Sequence, residues 1–88
     1  MNNNIPVEMI SVCAADGRIR PMRFRFEDEC HRLHTVRVAE VLVSRELYYV
    51  GQQAYQYTCR ALINEKEQLF ELRYTIKSHK WVLFRVLN

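Results

Sequence analysis

The sequence predicts an all-β fold: a small antiparallel barrel, SH3-like or related, or a strongly bent meander sheet of five to six strands. Three observations carry this expectation. Apolar and polar residues alternate with a period of two along several segments, as they do when one face of a strand is buried. Short polar turns separate those segments. The reading leaves no long helix and no internal repeat. A chain of 88 residues suits one domain. Twisted strands in so short a chain must curl to cover a thin core.

The elements follow in order. Met1–Pro6 is polar at its start and expected to fray. Val7–Val12 reads as a first strand, and Asp16-Gly17 as the turn after it, because glycine accepts positive φ and aspartate bonds its own backbone. Arg18–Phe26 alternates clearly, with Met22, Phe24 and Phe26 on one face and Arg23 and Arg25 on the other. Pro21 has no N–H, which places that part of the strand at an edge, a bulge or a bend. Glu27-Asp28-Glu29 is a polar turn. His34–Ser44 is rich in β-branched residues, but Val36 and Val38 are out of phase with Val41 and Val43, so a bulge is expected near Ala39-Glu40. A rival reading gives a short helix over 45–50, since Val36, Ala39, Val43, Leu47 and Val50 also fit helical spacing. The loss of valine χ1 freedom in a helix favours the strand. After a loop at Gly51-Gln52-Gln53, Ala54–Ile63 sets Tyr55, Tyr57, Cys59, Ala61 and Ile63 against Gln56, Thr58 and Arg60. Gln68–Ile76 and Trp81–Leu87 complete the set, with turns at Asn64–Glu67 and Lys77–Lys80. The aromatic residues Tyr57, Phe70, Tyr74, Trp81 and Phe84 read as core, because a small domain needs large buried side chains.

Composition excludes more functions than it suggests. Hydrophobic residues make up 49% and charged residues 26%, a globular balance. No apolar run is long enough for a transmembrane helix, the N-terminal segment has no signal-peptide pattern, and three cysteines without a CxxC pair make a poor disulfide framework. A cytoplasmic, non-membrane protein is the expectation, with the cysteines as small apolar fillers. Neither a nucleophile elbow nor HExxH is present, and two glycines do not build a phosphate loop, so no catalytic residue and no cofactor is expected. Glu27, Asp28 and Glu29 read as solvated turn carboxylates. Cys30, His31 and His34 cluster, with Cys59 and His79 elsewhere, but zinc sites use spaced pairs of ligands, so no metal is expected.

The feature with the most functional content is arginine. Ten of the thirteen basic residues are arginine, and the net charge is +3. Arg18, Arg20, Arg23 and Arg25 lie close in sequence, and Arg60 or Arg73 from a neighbouring strand would extend a polar contact face. Tyr48, Tyr49 and Tyr55 are candidate stacking aromatics for unpaired bases. The plain alternative is a solvated sheet face whose arginines pair with Glu71 or with the carboxylates at 27–29. Two partner classes follow. One is a protein that uses the arginine face as its polar contact surface, with a sheet edge near Pro21 open to a partner strand or a second copy of the chain. The other is single-stranded nucleic acid on the arginine face.

The segments Asp16-Gly17-Arg18-Ile19-Arg20-Pro21, Met22-Arg23-Phe24-Arg25-Phe26-Glu27-Asp28, Gly51-Gln52-Gln53, Tyr57-Thr58-Cys59-Arg60, Leu69-Phe70-Glu71-Leu72 and Trp81 together resemble a family of small uncharacterised bacterial β-domain proteins. They are also similar to the short β domain that accompanies some Y-family, translesion DNA polymerases. The resemblance implies no activity and no site residues. It implies only the neighbourhood of DNA repair; the expectation of a non-enzymatic interaction module, an accessory to DNA polymerase or repair machinery, comes from the arginine-rich face on an otherwise ordinary domain.

Overall fold

The computed structural model describes residues 4–87. Seven strands follow one another: β1 (Ile5–Cys13), β2 (Ile19–Glu27), β3 (Leu33–Arg37), β4 (Glu40–Tyr49), β5 (Gln52–Ile63), β6 (Lys66–Thr75) and β7 (Lys80–Val86). They form one sheet in the order β3-β2-β1-β7-β6-β5-β4, every neighbouring pair antiparallel. Part of the fraying expected at 1–6 falls on residues 1–3, outside the described residues. Ile5 and Pro6 pair with Leu83 and Val82.

Two expectations are corrected. The strand expected at His34–Ser44 is two strands, broken at Val38 and Ala39, and residues 45–50 are not a helix. Arg45–Tyr49 belongs to β4 and is paired in register with β5 as far as Tyr49↔Gln52. Strand pairing gives the β-branched and aromatic residues a flat neighbour and leaves their χ1 unrestricted by a helical turn. The strand count rises accordingly. The chain breaks at 38–39 because the sheet's two edge strands are consecutive in sequence. The Val38 N–H donates to the Met22 carbonyl at 2.9 Å on the β2 side, and the Ala39 N–H to the Arg60 carbonyl at 2.8 Å on the β5 side. The edges therefore meet at this point, but the sheet is not closed into the expected barrel.

Bulges explain both the curl and the gaps. The register skips Met22 in β2, Leu42 in β4 and Phe84 in β7. Each extra residue bends its strand and increases twist. Leu42 also ends the common phase read for Val41 and Val43: Val41 packs against the core, and Val43 is exposed. Phe84, expected in the core, lies on the outer face, where alternation from the buried Trp81 and Leu83 puts it, and its bulge sets the next residue, Arg85, on that same face. β1 pairs with β7 only over Ile5–Val7, after which the β1–β2 hairpin leans away, and Ser11–Arg18 is exposed throughout. Pro21 is fully buried opposite Ser11 and lies where β3 does not reach, so its missing N–H removes no ladder bond on that side. The outermost strands are thus β3 and β4; β2 has no β3 partner at Pro21, but Pro21 is buried there, so it is not the exposed edge expected.

The concave face holds the core: Phe24, Val36, Tyr57, Cys59, Ala61, Phe70, Leu72, Trp81 and Leu83. Burial of each large side chain contributes roughly 1.5–3 kcal/mol. Phe24 meets Phe70 edge-on at 5.6 Å, and Trp81 lies between Tyr57 (5.5 Å) and Tyr74 (4.9 Å). The Tyr57 hydroxyl donates to the Ile19 carbonyl at 2.7 Å, tying the leaning hairpin to the core.

The turns carry their own chemistry. Gly17, at φ +91°, sits in the hairpin turn expected at Asp16-Gly17, whose Asp16 carboxylate accepts the Arg18 N–H at 3.1 Å. Val50-Gly51 and Asn64-Glu65 are two-residue loops with positive φ at both positions, matching the twist of the strands they join.

Candidate interaction surface

The outer face of β1–β3 gathers arginines. Strand alternation, reset by the Met22 bulge, puts Arg20, Arg23 and Arg25 of β2 on the outer face with Glu8, Ile10 and Val12 of β1. On the other side, Arg23 is directly opposite Arg37 of β3, and Arg25 is opposite Thr35. Arg25 pairs with Glu8 at 2.8 Å. Among the described residues, no carboxylate lies within ion-pair distance of Arg20, Arg23 or Arg37. Arg37 was not singled out in the sequence. The signal that could have found it is the hairpin register across the turn at 28–32, which sets Arg37 against Arg23.

The other expected contact residues are placed elsewhere. Arg18 folds onto Asp16 of its own turn at 3.0 Å. Arg60 pairs with Glu40 at 3.2 Å and Glu67 at 3.6 Å. Arg73 lies in β6, on the outer face of the opposite half of the sheet. Its guanidinium is stacked between Tyr49 (4.8 Å) and Phe84 (3.8 Å), and its Nη2 donates to Gln56 Oε1 at 2.8 Å. Gln56 Nε2 donates to Glu71 Oε2 at 3.2 Å, and Arg85 Nε to Glu71 Oε1 at 2.5 Å. Glu71 is only 6% exposed, so this cluster is a built network, not a loose surface. Its carboxylate is engaged by Arg85 and Gln56, where the sequence had offered it to the contact arginines.

The candidate stacking aromatics divide in the same way. Tyr49 is committed to Arg73. Tyr55 points to the concave face beside Tyr57, their rings 6.5 Å apart. Tyr48 is 78% exposed and has no ring partner among the described residues. None of the three lies on the arginine face of β1–β3.

The turn from Glu27 to Leu33 is a structural device. Asp28 Oδ1 accepts the backbone N–H groups of Cys30 (2.8 Å) and Arg32 (2.9 Å), and its Oδ2 meets His34 Nε2 at 2.7 Å. The bond to His34, then the backbone N–H of Arg32, holds the Asp28 carboxyl down at about 2. The sequence predicts solvated turn carboxylates at Glu27, Asp28 and Glu29; Asp28 is set apart by these bonds. His31 Nδ1 meets Glu27 at 2.6 Å, so the two histidines of the cluster serve separate carboxylates. Among the described residues, no three His, Cys, Asp or Glu side chains converge as a metal site requires. Cys13 and Cys30 are exposed, unlike the buried fillers the sequence suggests. Cys59 is fully buried, and desolvation pushes its thiol up to about 12, which leaves it inert. Burial likewise raises the Tyr57 hydroxyl to about 12.

Among the described residues, no helix is long and apolar enough to cross a membrane. No family model, curated protein or solved structure matches this chain.

Proposed function

We propose that the chain is a non-enzymatic interaction module that docks an acidic partner surface on Arg20, Arg23, Arg25 and Arg37. The sequence resemblance points to DNA polymerase or repair machinery as the class of partner. One observation carries the reading: Arg23 and Arg37 are held directly opposite each other on neighbouring strands, and among the described residues no carboxylate lies within ion-pair distance of either. Like charges in that geometry destabilise a sheet by about 0.2–1 kcal/mol. A bound carboxylate or phosphate between the two guanidinium forks would reverse that sign through charge-assisted hydrogen bonds.

The test is comparative affinity capture from the native host with the wild-type chain and the Arg23→Glu/Arg37→Glu variant. A polymerase or repair component held by the first and lost by the second is the expected result. Recovery of the same proteins by both, or of no specific protein, would end this reading.

The exposed ring of Tyr48 favours a second reading, direct binding of single-stranded nucleic acid. It requires anisotropy of a labelled oligonucleotide to rise at micromolar protein and low salt. Log affinity should fall with log salt by about 0.7 per phosphate contacted. A flat titration at low salt removes it.

A further inference from the structure

The sheet stays open on one side, and backbone flanks the gap. β3 pairs with β2 and with no other strand. Two bonds bracket that ladder: the Val38 N–H donates to the Met22 carbonyl, and the Asp28 N–H to the Arg32 carbonyl. They fix its phase, so that His34 and Val36 turn their N–H and C=O toward β2, and Leu33, Thr35 and Arg37 turn theirs away. Among the described residues, those outward groups have no backbone partner. Across the gap, the pairing of β4 with β5 begins at Glu40↔Arg60, so residues 61–63 of β5 also lack a strand on that side.

The side chains of β3 divide between the two faces. Thr35 and Arg37 lie on the outer face, with Arg37 opposite Arg23. His34 and Val36 lie on the concave face, opposite Phe26 and Phe24. Beneath the gap is a cleft of about 250 Å³, with Phe26, His34 and Val36 on one wall and Ile63 and Val86 on the other. The Phe26–His34 ring stack at 5.1 Å and the His34–Asp28 contact at 2.7 Å hold the first wall in place. Ile63 is 37% exposed, and Phe26 and Val86 are half-buried, so apolar surface is open to an occupant. The volume is small for a ligand pocket and suits one large apolar side chain.

The other outermost strand, β4, carries a bulge at Leu42, a feature that blunts edge pairing. β3 has no bulge and no proline. A peptide extended along β3 alternates as the strand does. Side chains beside Thr35 and Arg37 fall on the outer face, and those between them fall over the cleft. The outer positions meet guanidinium groups without a carboxylate, which calls for acid; the inner ones meet apolar walls. A second copy of the chain fits poorly, because its own β3 would bring further arginine to an edge that is already cationic.

We propose that β3 accepts an extended peptide of the partner in which acidic and apolar residues alternate, an apolar side chain entering the cleft and an acid group meeting Arg37. The inference rests on the reading of the arginine surface and adds the form the partner takes there.

The probe is a fluorescein-labelled heptapeptide of alternating glutamate and valine, followed by anisotropy. It is titrated beside a peptide of the same composition with its glutamates and valines in two blocks. The alternating peptide is expected to bind about tenfold more tightly, the worth of one buried apolar anchor. Thr35→Pro removes an N–H that faces the gap and not β2, and should erase that difference without changing the circular dichroism of the sheet. Ile63→Asp, on an exposed side chain across the cleft, should do the same with the β3 backbone left intact. Arg37→Glu should weaken the glutamate peptide about tenfold and bind an alternating lysine–valine peptide in its place. Equal binding of the alternating and block peptides by the wild type overturns the proposal, and so does undiminished binding by folded Thr35→Pro and Ile63→Asp. In either case, weakening by Arg37→Glu would leave the arginine surface standing alone. No binding at millimolar peptide also overturns it. Loss in Thr35→Pro with no change in Arg37→Glu overturns the acid requirement and the arginine surface together.

Discussion

Arg73 and Arg85 on one side, and Arg23 and Arg37 on the other, are the same residue type on the outer face of one sheet, yet the fold treats them oppositely. In β6 and β7 each guanidinium is engaged: Arg73 between two rings and on Gln56, Arg85 on the buried Glu71. In β2 and β3, Arg23 and Arg37 are cross-strand partners, and among the described residues neither has a carboxylate within ion-pair distance. Arginines of the first kind stabilise the sheet whether or not a partner is present. Arginines of the second kind cost a little stability and gain it back only from an anion outside the chain. Under the proposed function the first pair are structural cations and the second recognition cations, although the charge is the same for both.

The sharpest way to break this comparison is to truncate one arginine from each side. Arg73→Ala removes two cation–π contacts and the hydrogen bond to Gln56, and should lower stability by about 2 kcal/mol in urea denaturation. Arg23→Ala should change stability by less than about 0.5 kcal/mol. Equal losses would show that the two sets are energetically alike. A double-mutant cycle of Arg73→Ala with Phe84→Ala tests the network itself. A coupling of about 0.5–2 kcal/mol is expected, and simple additivity would mean that the stack contributes nothing.

How far this difference was legible in the sequence depends on the register. Period-two alternation placed Tyr57, Cys59, Phe70 and Leu72 on the buried face, and they are buried there. It placed Arg23 and Arg25 together on the outer face, where they lie. It did not reveal which residues sit side by side on different strands. Arg73 and Arg23 look alike along the chain, and only the sheet order separates them by β1 and β7. Bulges are the second obstacle. One extra residue at Leu42 or Phe84 moves every later side chain to the other face, and neither position carries a glycine or proline to announce it. At Pro21, where a proline was present, the irregularity was anticipated, and the bulge is at the next residue. The approach of the two edges at Val38-Ala39, which leaves the sheet open, is a property of the whole sheet and has no local signature.

The arginine half is held at one end by the Asp28 turn, which sharpens the comparison through pH. The folded-state pKa of Asp28 is about 2, below its ordinary value of 3.8. A lowered carboxylate pKa contributes stability at pH above the unfolded value, and that contribution is lost as pH falls through the folded one. An acid titration should therefore show an unfolding limb between about pH 4 and pH 2. In Asp28→Asn that component of the limb should be absent, with the melting temperature lowered at neutral pH because His34 and the two backbone donors lose a charged acceptor. An unchanged acid limb in Asp28→Asn would mean that other carboxylates carry it.

The networked half has its own weak point. Val50 is 90% exposed, β-branched, and held at φ +49° in a two-residue turn whose geometry favours Asn-Gly. Val50→Asn should raise stability by about 0.5–1 kcal/mol while leaving Tyr49 on Arg73. A loss instead would show that the exposed valine has packing that the strained backbone serves.

The smallest expected effect bears most directly on function. Arg23→Glu turns a like-charge cross-strand pair into an opposite-charge one with Arg37, and should raise stability by about 0.2–1 kcal/mol. Added salt provides the internal control. Screening should stabilise the wild type, where it weakens repulsion, and should not stabilise Arg23→Glu, where it weakens attraction. The same substitution should abolish capture of the acidic partner. A residue whose replacement strengthens the fold and destroys binding is held in place for the partner and not for the sheet. If Arg23→Glu instead weakens the fold, Arg23 belongs with Arg73 among the structural cations, and the proposed contact surface loses the observation on which it stands.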